Sequence, residues 1–524
     1  MKVISIQANL TEIVFSFDCA CASNAVSIME YEPLVHAECA LLSEHNCTVA
    51  DNTALIPRFL GKHDRLYSRF EVRVDNARVP GAQFVTDFDP AVPENKSDYP
   101  VLPTKKTLHG TEEDLSVLGI RQQPININLP NLMSTVRTED TIDFEHDGKT
   151  YYFIKKAVEN IDRNMRKSRK LGLVVTMILL NSPRLFGSTG EKALLEKCIH
   201  PGFDYTAPDA FISAFNMTTH EGQGYYRAFV EFLCDRYTKP DSDVGCVAGA
   251  IISNEVNSQY VWGNAGEMDV KDYVLEYNEA MRQAWLAGQK HSKSFRVYVS
   301  LDQYWHKTAH NVRFPKRYYS GRDIIDELNR LQAESGEYPW CVAYHPYPED
   351  LRWPDFWHDR APDFTFSTPK ITFKNMEVLE AYLSQPHMLY RNTPRRIIFS
   401  EQGFNSHSGA LQALTEKMAE AGYVLAYLKA KNMKTVDMFM HHAYTDNPHE
   451  FGLNLGIRRF DPDAPHHAGE KKPIWYAVYD MDTEREPERI EKARAFIGEE
   501  LFDYLLNPPV EYGDRDTSKD NEFG

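Results

Sequence analysis

Two glutamates stand where chemistry is expected. Glu255 closes the run CVAGAIISNE and Glu401 follows RIIFS, so each carboxylate leaves a stretch of apolar β-formers with no loop between. Carboxylates held on two such elements and aimed into one cleft can break a glycosidic bond. One, protonated, delivers its proton to the leaving oxygen, while the other, ionised, attacks or stabilises the oxocarbenium-like carbon. A lone glutamate after a strand is more simply a solvated or salt-bridged cap; the pair is what gives these positions meaning. Other apolar runs end in polar clusters too: His345-Pro346-Tyr347, His441-His442-Ala443-Tyr444 and Asp302-Gln303-Tyr304-Trp305-His306. Asn126 and Asn128 lie within a further run, as candidates to bind hydroxyls or to satisfy buried backbone.

The elements that must hold these groups read as α/β. Candidate strands lie at 120–129, 173–180, 210–215, 246–253, 296–301, 341–344, 396–400 and 436–441, several of them continuous apolar runs of the kind buried on both faces. Helical spacing separates them: Phe153, Ala157, Ile161 and Met165 share one face, as do Tyr273, Tyr277, Met281 and Trp285. Further helical stretches fall near 224–237, 322–333, 375–384, 411–429 and 487–503. Eight β/α units predict a (β/α)8 TIM barrel over residues 119–506, with chemistry at the C-terminal ends of its strands. On this count Glu255 follows the fourth strand and Glu401 the seventh, nearly across the mouth from each other. Residues 1–90 are rich in short alternating β-segments (12–17, 25–32, 36–43, 67–74, 82–88) and predict a small N-terminal all-β, sandwich-like domain. Residues 91–118 read as a linker and 507–524 as a polar tail.

Composition narrows the function. Of 524 residues 42% are hydrophobic and 25% charged, as in a folded chain, and the net charge of −17 repels polyanions, so nucleic acid is not an expected partner. The apolar run 173–180 is far short of the roughly 20 residues a membrane span needs. The N-terminus lacks a secretory signal pattern, which points to a cytoplasmic protein. The eight cysteines, with no C-x₂-C spacing in the Cys19, Cys21, Cys39, Cys47 group, read as buried free thiols. No G-x-G-x-x-G or Walker loop follows the first candidate strand, and no cofactor is expected. His441, His442, His345 and His220 raise a metal-dependent hydrolase as an alternative, but zinc barrels of the amidohydrolase type carry His-x-His where this chain has Asn126-x-Asn128; no metal is assigned. Trp262, Trp305, Trp353 and Trp357 fall in loops after strands, where an aromatic face can stack on a sugar; Trp305 is the choice.

With Asn254-Glu255 after strand four and Glu401 after strand seven, the chain resembles the clan A retaining glycoside hydrolases, the 4/7 superfamily of barrels. The resemblance implies that Glu255 is the general acid/base, Glu401 the nucleophile, and Asn254 a contact to the 2-hydroxyl of the sugar being cleaved. It is extended by His345-Pro346-Tyr347, which matches a His-x-Tyr motif whose Tyr hydroxyl bonds the nucleophile. It also implies retention, with the carboxyl groups about 5–5.5 Å apart, and a glycoside or oligosaccharide as partner. Two departures stand out. His441, His442 and Tyr444 replace the Trp often found after strand eight, with His442 a candidate hydroxyl ligand. No Arg follows the second candidate strand at Asn181-Ser182, Arg184 lying slightly beyond. A non-catalytic carbohydrate-binding barrel is the further alternative, against which stands the presence of both glutamates.

Overall fold

The computed structural model describes residues 1–20, 25–36, 39–185, 191–309 and 313–515; Cys21 and residues 516–524 of the expected tail lie outside these. Near the N-terminus two four-stranded sheets form. One holds Val3–Ala8, Glu12–Phe17, Thr53–Pro57 and Asp87–Phe88, the other Ala25–Tyr31, Leu41–Thr48, Arg69–Val74 and Ala77–Val79. Along Glu12–Phe17 every second residue is buried, and Phe15 meets Phe70 of the opposite sheet edge-on with ring centres 5.2 Å apart, so the sheets share one core. The strand expected at 36–43 runs instead from Leu41 to Thr48. It is an edge strand with most side chains in solvent, where apolarity carries no positional information.

Eight parallel strands close into a barrel: Lys106–Leu108, Gln122–Asn128, Val174–Leu180, Val247–Ile252, Arg296–Leu301, Cys341–Tyr344, Ile397–Phe399 and Val436–His441. Ile251, Tyr298, Cys341, Ala343, Ile398 and Met438 pack together as a cluster separate from the main core, filling the space the strands enclose. Helices Lys155–Lys170, His220–Tyr237, Val270–His291, Gly321–Ser335 and Gln412–Asn432 form much of the outer layer.

The strand count differs from the expected one in two places. Residues 210–215 join no ladder: Phe215 and Ser213 make isolated bridges to Ile199 and Asn264, while Ile212 and Phe215 bury their side chains in a loop beside the ends of strands three and four. The first strand, Lys106–Leu108, comes from the stretch expected to be a linker. Its lysine hides it from a hydrophobicity reading. Lys106 is buried, yet its Nζ donates to the carbonyls of Met481 and Val478 at 2.8 and 3.2 Å, around the end of helix Pro473–Asp480. The two differences cancel from strand four onward, so Glu255 and Glu401 keep their places.

The sandwich docks on the barrel's helices. Phe88 meets Trp285, Arg282 covers the Phe84 ring at 4.2 Å, and Arg391 holds Asp87 with two bonds of 2.7 and 2.8 Å. Among the described cysteines all are free; Cys198, Cys234 and Cys341 are buried, whereas Cys19 is exposed. No described helix is long and apolar enough to cross a membrane.

Candidate active site

Strand four, VAGAII, is buried at every residue, and the chain leaves it abruptly. Ser253 and Glu255 take φ of +63° and +38°, the left-handed region, which costs a non-glycine residue on the order of 1–2 kcal/mol. That turn leads into the short helical turn Val256–Ser258. Two hydrogen bonds pin it: Ser253 Oγ donates to the Trp262 carbonyl at 3.1 Å, and the Glu255 N–H donates to Ser300 Oγ at 3.0 Å. Glu255 Oε1 lies 2.8 Å from His345 Nδ1, whose other ring nitrogen is 3.1 Å from Ser400 Oγ.

Burial pushes the Glu255 carboxyl up to about 7, with the charges of Asp302 and Glu401 adding to the rise and His345 opposing it. Burial alone would lower His345, but its bond to Glu255 and the surrounding carboxylates outweigh that and raise it. Asp302, also raised by burial, is fixed by Ser258 Oγ, Asn257 Nδ2 and the Tyr304 N–H.

Glu401 follows strand seven by two residues and accepts from Tyr347 Oη at 3.2 Å. Its loop lies directly against the exit of strand eight: the His442 N–H donates to the Gln402 carbonyl at 2.8 Å, and a Cβ at Gly403 would stand 2.0 Å from the His442 carbonyl oxygen. Only glycine permits that approach. One oxygen of Glu255, one of Glu401 and a ring nitrogen of His345 all lie within 4.8 Å of one another.

The other sequence candidates divide. Asn254 is partly exposed beside Glu255, and among the described residues its amide has no hydrogen-bond partner. Asn126, on strand two, aligns in register with Ile178 and through it with Ile251; its side chain is exposed on that inward face. Asn128 is structural: its amide donates to the Ser182 carbonyl and accepts from the Ser182 N–H, tying strand two to the end of strand three. His442 Nε2 lies 2.9 Å from Glu450 Oε1; that bond and the charge of Glu401 hold its pKa up against burial.

Trp305 does not face the cleft. It is fully buried, its Nε1 donates to the Phe366 carbonyl at 2.9 Å, and its ring abuts Tyr382. Tyr304, one residue earlier and on the opposite face of the chain, is partly exposed and within reach of the Asp302 and Glu255 charges. Trp357 is buried; Trp262 leans on Phe211 and Trp353 on His407. Arg184 spends its guanidinium on the carbonyls of Tyr205, Ala207 and Ala210.

Two residues escaped the sequence reading. His109 directly follows strand one, and burial lowers its pKa to about 4, with His442 adding and Glu401 opposing. A neutral imidazole thus stands near the Glu401 carboxylate. Its signal was the unrecognised strand. Glu450, carried by the loop after strand eight, is fixed by His442 and Asn447 and bears electrostatically on Tyr347.

Fold and site together define a (β/α)8-barrel protein with paired glutamates over strands four and seven. Within that class the chain belongs to the family described as Family of unknown function (DUF5722), which matches residues 98–504. No curated protein matches the chain. Solved structures similar to it include a family 39 glycoside hydrolase from Bacteroides cellulosilyticus WH2, 11% identical, covering 91% of this chain and 81% of that one at a TM-score of 0.44. A β-glucosidase from Pyrococcus furiosus is 14% identical, covering 76% and 86% at a TM-score of 0.45. A β-glucosidase from Thermotoga maritima is 12% identical, covering 70% and 84% at 0.40.

Proposed function

We propose that the protein is a retaining glycoside hydrolase. The observation that carries the reading is the meeting of Glu255 and Glu401 within 4.8 Å in two different environments. Retaining enzymes hold their carboxyl groups about 5–5.5 Å apart, whereas inverting ones leave about 6.5–9.5 Å for a water. Glu255, raised by burial and by the charges of Asp302 and Glu401, carries the proton for the leaving oxygen. Glu401, its oxygen bonded by Tyr347, attacks the anomeric carbon and forms a glycosyl ester. That ester removes the Glu401 charge, and Glu255, now ionised, takes a proton from the water that hydrolyses it. Asn254 and Asn126, whose amides have no partner among the described residues, and Tyr304 would hold the sugar.

The test is a panel of aryl glycosides and oligosaccharides. Glu401→Ala is expected to lose about 10⁴-fold or more in kcat, with azide restoring turnover as a glycosyl azide. Proton NMR of the first-formed sugar should show the substrate's own anomeric configuration. Full activity in Glu401→Ala, or an inverted first product, would overturn the reading.

The same three groups could in principle receive a cation, which is the observation behind a metal-dependent reading. The direct 2.8 Å bond between His345 and Glu255 would have to open for it. Activity unchanged after chelator dialysis separates the two.

A further inference from the structure

We propose a second binding site, for a small organic oxyanion, in the cleft between the N-terminal sandwich and the barrel, with Arg227 as its anchor. Arg227 sits in helix His220–Tyr237 and lines a cavity of about 270 Å³ whose other wall is the sandwich. It is only 6% exposed, its Nε is sealed without an acceptor, and among the described residues its guanidinium has no hydrogen-bond or ion-pair partner. It lies over the face of Tyr67 at 5.7 Å. The sealed Nε gives up hydration without replacement, which is unfavourable, while the terminal nitrogens stay accessible and are the donors an incoming anion would meet.

The remaining charged groups of the cavity wall are already matched. His63 lies 2.7 Å from Asp147 and 3.0 Å from Glu30, and His220 lies 3.0 Å from Glu32. Arg227 is therefore the one charged lining group in no ion pair among the described residues, the Asp147 and Glu279 carboxylates acting on it only from beyond bonding distance. Its planar fork suits a carboxylate or phosphate, which would accept two parallel bonds.

The rest of the wall gives the anion a body. Leu34, Leu42 and Leu60 line the cavity, and Leu42 and Leu60 remain partly in solvent at 37% and 48% exposure. Pro33 and three leucines beside the single unpaired cation favour a compact organic anion over a bare inorganic ion.

Calorimetric titration of the full chain with benzoate, phenyl phosphate and inorganic phosphate tests this. At least one organic anion should bind saturably, about tenfold or more tighter than inorganic phosphate. Arg227→Met should weaken it about 30-fold or more, and without ligand should melt no lower than wild type, since it deletes an unpaired buried charge. Should Arg227→Met not fold, Leu60→Trp, which narrows the mouth and keeps the charge, must weaken binding instead. The proposal is overturned by no saturable binding of any of the three, by equal affinity in Arg227→Met, or by inorganic phosphate binding as tightly as the organic anions. Aryl-glycoside turnover of Arg227→Met, measured in parallel, keeps this outcome separate from that of the barrel site.

Discussion

Glu255 and His345 share a proton at the centre of the cleft, and that sharing sets the pH behaviour. The acid works only while protonated, so kcat/KM should fall as pH rises through about 7, where burial has placed Glu255. His345 favours the ionised carboxylate; taking it away raises the Glu255 pKa further. The alkaline limb of His345→Phe is therefore expected to move to higher pH, read from kcat/KM profiles of an activated aryl glycoside. A limb that stays put or moves to lower pH would sink the assignment. Tyr304 and Trp305 make a second pair to compare. Trp305→Ala empties a core site and should cost about 3–5 kcal/mol in denaturant unfolding. Tyr304→Ala should leave stability nearly unchanged and raise KM about tenfold.

At the scale of elements, the site was legible because strands four to eight are buried, apolar and short, and the carboxylates stand directly beyond two of them. Strand one was not legible: three residues long, it carries a lysine whose charge is met by helix-end carbonyls that only the fold supplies. The 210–215 run misled for the opposite reason, since its apolar residues are buried by a loop rather than by a ladder. Missing one strand and adding another left the numbering of the fourth and seventh intact, but it hid His109. It also moved Asn126 and Asn128 from the first strand to the second. At strand five, Asp302 and Tyr304 turn toward the cleft and Trp305 away, a face assignment that ring size alone does not reveal. Gly403 belongs to this scale as well. Gly403→Ala should force the strand-seven loop off strand eight, lowering kcat more than KM, with thermal unfolding measured to show the barrel intact.

Across the whole molecule, a net charge of −17 makes copies of the chain repel one another, while specific ion pairs hold its two parts together. His63 of the sandwich bonds both Glu30 beside it and Asp147 on the barrel side, and these partners raise it from 6.5 to about 9 against burial. A raised histidine contributes fully below its unfolded value and loses that contribution as pH climbs through about 9. Glu30, lowered to about 2 by His63, Ser43, Ser68 and Arg65 against burial, contributes above about 4.5 and loses it as pH falls through about 2. Calorimetric scans from pH 6.5 to 10 should show a fall in Tm that His63→Gln largely removes; equal slopes in both proteins would count against His63 as the link between sandwich and barrel. The order of synthesis adds a last consequence. Lys106 pairs with Phe439, so the first barrel strand emerges from the ribosome about 330 residues before the strand that closes on it. At roughly 5–20 residues per second, it waits on the order of 15–65 s. The sandwich, whose ladders all lie within residues 3–88, can be complete by then. Throughout that interval the lysine in the waiting strand places a charge on an unpaired edge, which deters the nascent chain from pairing with a neighbour on the same polysome.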